Sequence, residues 1–129
     1  MTIAEQVATY LQDELLVGTL GTNIFIGRLP EKNDAPINAI AVIDTGGVAS
    51  DVDLPLTSPT FQILIRNTDY DVGSTLLMTI HDGLHQFYGE LVTGQNYFYV
   101  LHAQNRGGHL GQDASSRELF SINFISKVR

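Results

Sequence analysis

The sequence predicts an α+β fold, in which one mostly antiparallel sheet of about five strands carries two helices on one face. Two segments repeat apolar residues with the period of a helix, and five short segments are rich in apolar and β-branched residues, as strands are. All four prolines fall in the connections among the first three strands, where no ladder N–H is needed. The predicted order is α-β-β-β-α-β-β, within a single domain of residues 1–129.

The first helix is predicted to begin at Thr2 and to end before Gly18 and Gly21. Thr2 and Glu5 have the spacing of a capping box, in which each side chain accepts a hydrogen bond from a free backbone N–H of the first turn. Apolar residues then recur on one face (Ile3, Val7, Tyr10, Leu11 and Leu15). This stripe indicates a helix packed on its own sheet, and the alternative is a surface for a partner protein.

Three strands are predicted next, at residues 24–29, 39–43 and 61–66. The second is almost continuously apolar, as a strand covered on both faces is. In the third, Phe61, Ile63 and Ile65 lie on one face and alternate with residues that point to the other face. The connection of residues 44–59 is long, and loops of this length in a compact domain are usually functional or disordered.

A second helix is predicted over residues 70–88, with Asp69 or Asp71 as its N-cap. Gly73 projects on the buried side, where it allows close approach to the sheet. The last two strands are predicted at residues 97–104 and 119–127. Between them, residues 105–116 are polar and rich in glycine, which predicts a flexible loop.

Composition excludes several classes of function. The 129 residues include 14 acids, seven bases and no cysteine, with a formal charge of −7. Disulfides and thiolate chemistry are therefore excluded, and a reducing cytoplasm is favoured. General nucleic-acid binding is disfavoured for an acidic chain. No apolar run approaches the roughly 20 residues of a membrane span, so no membrane partner is expected.

The charge is distributed unevenly along the chain. Up to Ser58 there are eight acids and two bases, whereas from Pro59 onward there are six acids and five bases. Such polarity favours head-to-tail contacts between copies, in which an acidic side meets a basic side. The alternative is that a difference of this size is ordinary in a monomer.

His81 and His85 have the spacing of two zinc ligands on one helical turn, with Asp82 at the position of a general base. Asp is one methylene shorter than the Glu of zinc hydrolases, and the third ligand has only His102 and His109 as unanchored candidates. The competing interpretation is that both histidines lie at the rim of the helix. We therefore expect no metal and no cofactor.

Two further patterns are weak indications of chemistry. Residues 107–111 follow a strand as phosphate loops do, but they lack the Lys-Ser/Thr of such loops. Acidic pairs such as Asp51 with Asp53 could bind Mg²⁺, but the pairs fall on different predicted loops. No Ser lies in a nucleophile elbow. The sequence therefore predicts no catalytic residue and no enzyme.

Two segments carry a resemblance to a known family. One is the junction of the third strand with the second helix, Arg66-Asn67-Thr68-Asp69-Tyr70. The other is the closing strand, Arg117-Glu118-Leu119-Phe120-Ser121-Ile122-Asn123-Phe124. Together with the N-terminal helix and the length, they resemble the minor capsid and tail-terminator (tail completion) proteins of long-tailed phages. Neither motif is catalytic, because both are packing and interface patterns.

The resemblance implies a structural role at the head-proximal end of the tail in the virion, after synthesis in the cytoplasm of the host bacterium. Tail terminators of this kind form a hexameric ring that caps the tail tube, ends its polymerisation and joins the head. The implied partners are copies of the chain itself, the tail tube protein and a head completion or connector protein. The alternatives are another phage neck or tube protein, or a zinc-binding hydrolase that uses His81 and His85.

Within such a ring, the long loops at residues 44–59 and 105–116 are expected to contribute to the contacts between subunits. The charged residues expected at a subunit or partner interface are Arg66, Asp69, Arg106 and Arg117, and for the two strand arginines the alternative is an ordinary surface charge. Asp51 and Asp53 are expected to line the bore, where an acidic wall repels DNA so that DNA passes without specific binding.

Overall fold

A computed structural model describes residues 1–31, 36–47 and 56–129 of the chain. These residues contain two helices and seven strands. The helices are α1 (Ile3–Asp13) and α2 (Tyr70–Leu84). The strands, in chain order, are β1 (Ile24–Ile26), β2 (Ala39–Asp44), β3 (Thr60–Asn67), β4 (Gly89–Glu90), β5 (Tyr97–Ala103), β6 (Gly108–Gln112) and β7 (Glu118–Val128).

The described strands form one mixed sheet in the spatial order β1-β2-β3-β7-β5-β4, and β6 also pairs with β7. β1 runs parallel to β2, and the other pairs are antiparallel. β1 ends at Ile26 and β2 begins at Ala39, so the crossover between them has about the dozen residues that a parallel pair requires. The α+β class is confirmed. The prediction of a mostly antiparallel sheet of about five strands is wrong, because the sheet is mixed, holds two more strands and follows a different element order.

Local features of β4 and β6 explain why these two strands were not predicted from the sequence. β4 has two residues, Gly89 and Glu90, which is too short to show a period. β6 reads Gly-His-Leu-Gly-Gln and resembles a loop, but it pairs with β7 from Gly108 opposite Ser121 to Gln112 opposite Glu118. The flexible loop predicted over residues 105–116 is therefore corrected to a strand followed by a short hairpin turn.

Both helices begin as their capping signals predict. Thr2 Oγ1 accepts a hydrogen bond from the Glu5 backbone N–H at 3.1 Å, and Glu5 Oε1 accepts one from the Thr2 N–H at 3.3 Å. Asp69 Oδ1 accepts from the backbone N–H groups of Asp71 and Val72 at 2.8 and 3.2 Å. α2 ends at Leu84 rather than at residue 88, because the chain turns there to run beside β5.

One apolar cluster joins both helices to the same face of the sheet. α1 contributes Val7 and Leu11, α2 contributes Ile80 and Leu84, and the central strands contribute alternate residues (Ile40, Val42, Phe61, Ile63, Ile65, Phe120, Ile122 and Phe124). The alternation of β-strand side chains sends the intervening residues to the opposite face. In the described residues, neither helix covers that opposite face. No helix among them is long and apolar enough to span a membrane.

Candidate functional site

The sheet face opposite the helices carries an apolar trough with a volume of about 270 Å³. Ile43, Leu64 and Leu119, from β2, β3 and β7, form its floor, and Leu29 and Leu110 form its sides. Ile43, Leu64 and Leu119 alternate along their strands with the core residues, so their side chains point to the opposite face of the sheet and form the floor of the trough. This site was not predicted from the sequence, although the nearly continuous apolar run of β2 indicated a second buried face.

The turn between β6 and β7 closes one end of the trough. Asp113 organises this turn, since its Oδ1 accepts from the backbone N–H groups of Ser115 and Arg117 at 2.9 Å. Its Oδ2 accepts from Arg117 Nε at 2.7 Å. These hydrogen bonds hold the pKa of Asp113 below its ordinary value, with the backbone bond from Arg117 as the largest cause. Arg117, predicted at an interface, is thus paired within its own chain, and its side chain is 18% exposed.

Arg66 lies on the same sheet face but is 1% exposed. Its Nε donates to the carbonyl oxygen of Ile37 at 3.0 Å, and its Nη2 donates to that of Pro36 at 2.7 Å. Burial lowers the pKa of the guanidinium, and the charge of Arg117 lowers it further. The structure therefore brings Arg66 and Arg117 together at one end of the sheet. It also corrects the alternative reading of Arg66 as an ordinary surface charge.

The other predicted interface residues lie apart from this pair. Asp69 is exposed and caps α2. Arg106 is exposed and lines a cleft of about 350 Å³ with Tyr70 and Met78 of α2. Asp51 and Asp53 lie outside the described residues, as does much of the loop at residues 44–59.

His81 and His85 have local structural roles. His81 Nδ1 lies 3.0 Å from Asp82 Oδ1. His85 Nδ1 accepts a hydrogen bond from the backbone N–H of Ala103 at 3.0 Å, and this bond satisfies a donor of β5. The two rings stack with their centroids 4.9 Å apart. Among the described residues, no group of three or more His, Cys, Asp or Glu could hold a metal ion.

The glycines at residues 107–111 shape a strand and its packing. Gly107 has a φ of 82°, and a Cβ placed there would lie 3.0 Å from the Leu77 side chain of α2. Gly111 has a φ of 111° and lies where the register of β6 against β7 shifts. The phosphate-loop interpretation is therefore replaced by a bend before β6 and a bulge within it.

Comparison with known proteins supports the resemblance drawn from the two motifs. Residues 10–128 match the model of a family described as bacteriophage tail terminator protein. No curated protein matches the chain. A chain from the structure "Virion of native gene transfer agent (GTA) particle" has a TM-score of 0.71 and 13% identity, over 98% of this chain and 93% of that chain. At this identity the likeness shows a common fold. The chain belongs to the bacteriophage tail terminator family, as its sequence motifs predicted, and is a structural protein of the virion.

Proposed function

We propose that copies of this chain assemble into a hexameric ring that caps the tail tube, ends its polymerisation and provides the surface that joins the head. Residues 1–129 act as one domain of this ring, at the head-proximal end of the tail. The observation that carries the proposal is the apolar trough on the sheet face that neither helix covers in the described residues. Apolar surface of this kind marks protein–protein contacts, because its burial is favourable.

The charged residues around the trough supply the polar part of the proposed interface. Arg117 lies beside the trough, where Asp113 fixes its orientation. The exposed Arg106 offers a second cation beside α2. Arg66 and Asp69 contribute indirectly, because Arg66 fixes the chain before β2 and Asp69 fixes the start of α2. The tail tube protein and a head completion or connector protein are the proposed partners of the two faces of the ring.

Tails assembled without this protein test the proposed function. Added protein should bind at one end of each tail as a ring, stop elongation when more tube subunits are supplied, and permit heads to attach. Electron microscopy of negatively stained tails measures ring position and the distribution of tube length. Incorporation along the whole tube would favour a tube protein instead, and failure to bind tails at all would overturn the proposal.

Each copy of the chain carries a formal charge of −7, so a ring of six copies is strongly acidic. We further propose that Asp51 and Asp53 face the bore and repel DNA, which then passes without specific binding. Replacement of both by Asn should leave the ring intact and slow DNA passage, measured as the rate of DNA delivery by whole virions. Asp82→Asn, at a carboxylate 71% exposed on α2, is the matched control. Unchanged delivery in the double variant would contradict this assignment.

A further inference from the structure

Leu16 presents an apolar side chain to solvent from a backbone conformation that leucine rarely adopts. It lies just beyond the end of α1, has a φ of 55° and is 78% exposed. The backbone N–H groups of Leu15 and Val17 donate to carbonyl oxygens in the last turns of α1 at 3.2 Å. These bonds fix the conformation of Leu16. A strained residue that the surrounding structure holds in place points to a function for its side chain.

The surroundings of Leu16 are acidic. Asp13 and Glu14 are both exposed, and the last turn of α1 contains no basic residue. The carbonyl end of the helix adds partial negative charge at the same place. We call Asp13, Glu14 and Leu16 the acidic knob. Its apolar tip and anionic base require a partner surface that is apolar in the middle and cationic at the rim.

The trough on the opposite sheet face has this character. Its floor is apolar, and Arg28 stands exposed at its rim without an ion pair to any described residue. Two carboxylates also line the trough, and each is paired within its own chain: Glu31 lies 3.9 Å from Nη1 of the buried Arg66, and Asp113 binds Arg117. Arg28 is therefore the cation of the described lining that an incoming carboxylate can approach.

We propose that the acidic knob of one copy inserts into the trough of the next copy, with Leu16 among Leu64, Leu110 and Leu119. This inference rests on the proposed ring and names the contact that closes it. Asp13 and Glu14 then lie near the exposed Arg28 of the neighbouring copy. A volume of about 270 Å³ suits one or two side chains and falls below the roughly 300–1,000 Å³ of small-molecule pockets.

The positions of the two surfaces determine the symmetry of the contact. α1 packs on the core face of the sheet, whereas the trough lies on the opposite face. Knob and trough are therefore different patches, so the contact is head-to-tail and leaves each chain with one free knob and one free trough. A contact of this type propagates from copy to copy and produces a ring when its rotation closes.

Two variants test this contact by light scattering or mass photometry. Leu16→Asn removes the apolar tip and keeps the backbone conformation, because Asn tolerates a positive φ. Leu110→Asp blocks the trough at a side chain that is 60% exposed, so the fold is preserved. Each variant alone should associate roughly 10- to 100-fold more weakly than wild type, as loss of one buried leucine predicts. Tyr88→Asn is the control, since Tyr88 is 73% exposed but lies outside both surfaces.

A mixture of the two variants gives the decisive result. The Leu16→Asn chain keeps an intact trough, and the Leu110→Asp chain keeps an intact knob. The mixture should therefore form dimers of one chain of each kind and nothing larger. Rings that either variant alone forms as readily as wild type at the same concentration, or no dimer from the mixture, would overturn the proposed contact. If wild type still forms rings and caps tails in that case, the proposed function stands without this contact. A wild-type chain that neither assembles nor caps tails would overturn the function itself.

Cross-linking provides a second readout, because the natural chain contains no cysteine. Leu16→Cys and Leu110→Cys chains are mixed and treated with a short bis-maleimide, which joins two thiols by thioether bonds. The mixture should yield a cross-linked pair of the two chains, whereas a mixture of Tyr88→Cys and Leu110→Cys should not. Equal yields in the two mixtures would contradict the proposed neighbours.

Discussion

The guanidinium of Arg66 donates from Nη2 to the carbonyl oxygen of Pro36 at 2.7 Å, across 30 positions of the sequence. Its Nε reaches the neighbouring carbonyl of Ile37 at 3.0 Å, so one planar side chain holds two successive backbone acceptors. These bonds fix the end of the β1–β2 crossover against β3. The same crossover carries Arg28 and Leu29 to the trough. A buried strand residue therefore determines where part of the proposed assembly surface lies.

Replacing Arg66 by Lys should lower the free energy of unfolding by about 1–3 kcal/mol. The lysine ammonium lacks the planar set of N–H donors of the guanidinium, so at least one buried carbonyl loses its hydrogen-bond donor. Urea denaturation followed by circular dichroism measures the change. Arg106→Lys, at an exposed position, should lie within about 0.5 kcal/mol of wild type. Equal stability of Arg66→Lys and wild type would show that the two carbonyl bonds contribute little.

Gly73→Ala should destabilise the protein by about 1–3 kcal/mol, although alanine favours a helix. A Cβ at this position of α2 would lie 2.4 Å from Cε2 of Phe120, whose ring is buried in the core. Gly108→Ala is the control, because a Cβ there meets no atom within 4 Å. Combining Gly73→Ala with Phe120→Leu should recover part of the loss. A stabilised Gly73→Ala single variant would contradict the close approach of α2 to β7.

The features that the sequence predicted correctly are mostly local. The capping box of α1 and the acidic N-cap of α2, for which Asp69 and Asp71 were the candidates, depend on residues a few positions apart. Gly73 was placed on the buried side by the period of its own helix. The features that it missed depend on partners far along the chain. β6 is a strand because β7 lies beside it, and the parallel pairing of β1 depends on the crossover. The carbonyl acceptors of the buried Arg66 lie 29 and 30 positions earlier, and no spacing rule reveals such contacts.

Asp113→Asn should lower the melting temperature at neutral pH, and the difference from wild type should shrink in acid. The folded pKa of Asp113 is below its ordinary value of 3.8, chiefly through the backbone bond from Arg117. Its stabilising contribution is thus complete above that ordinary value and is lost as pH falls through the lower folded value. Thermal unfolding of both proteins between about pH 2 and pH 7 measures the effect. Asp44→Asn, at the exposed end of β2, serves as the control. A melting-temperature difference that is constant across this range would contradict an ionised Asp113 in the turn.

Leu16→Asn should raise the stability of the isolated chain by about 1 kcal/mol, because a positive φ costs leucine more than asparagine. The same change removes the apolar tip of the acidic knob and should weaken assembly. A substitution that stabilises the isolated chain but weakens its association indicates that the strained residue is retained for assembly. Denaturation at concentrations below assembly measures the first effect. Leu20→Asn, at a residue 39% exposed without a positive φ, should give no such gain. If Leu16→Asn is instead destabilising, the leucine side chain packs within its own chain and is not available to the next copy, which would overturn the proposed knob.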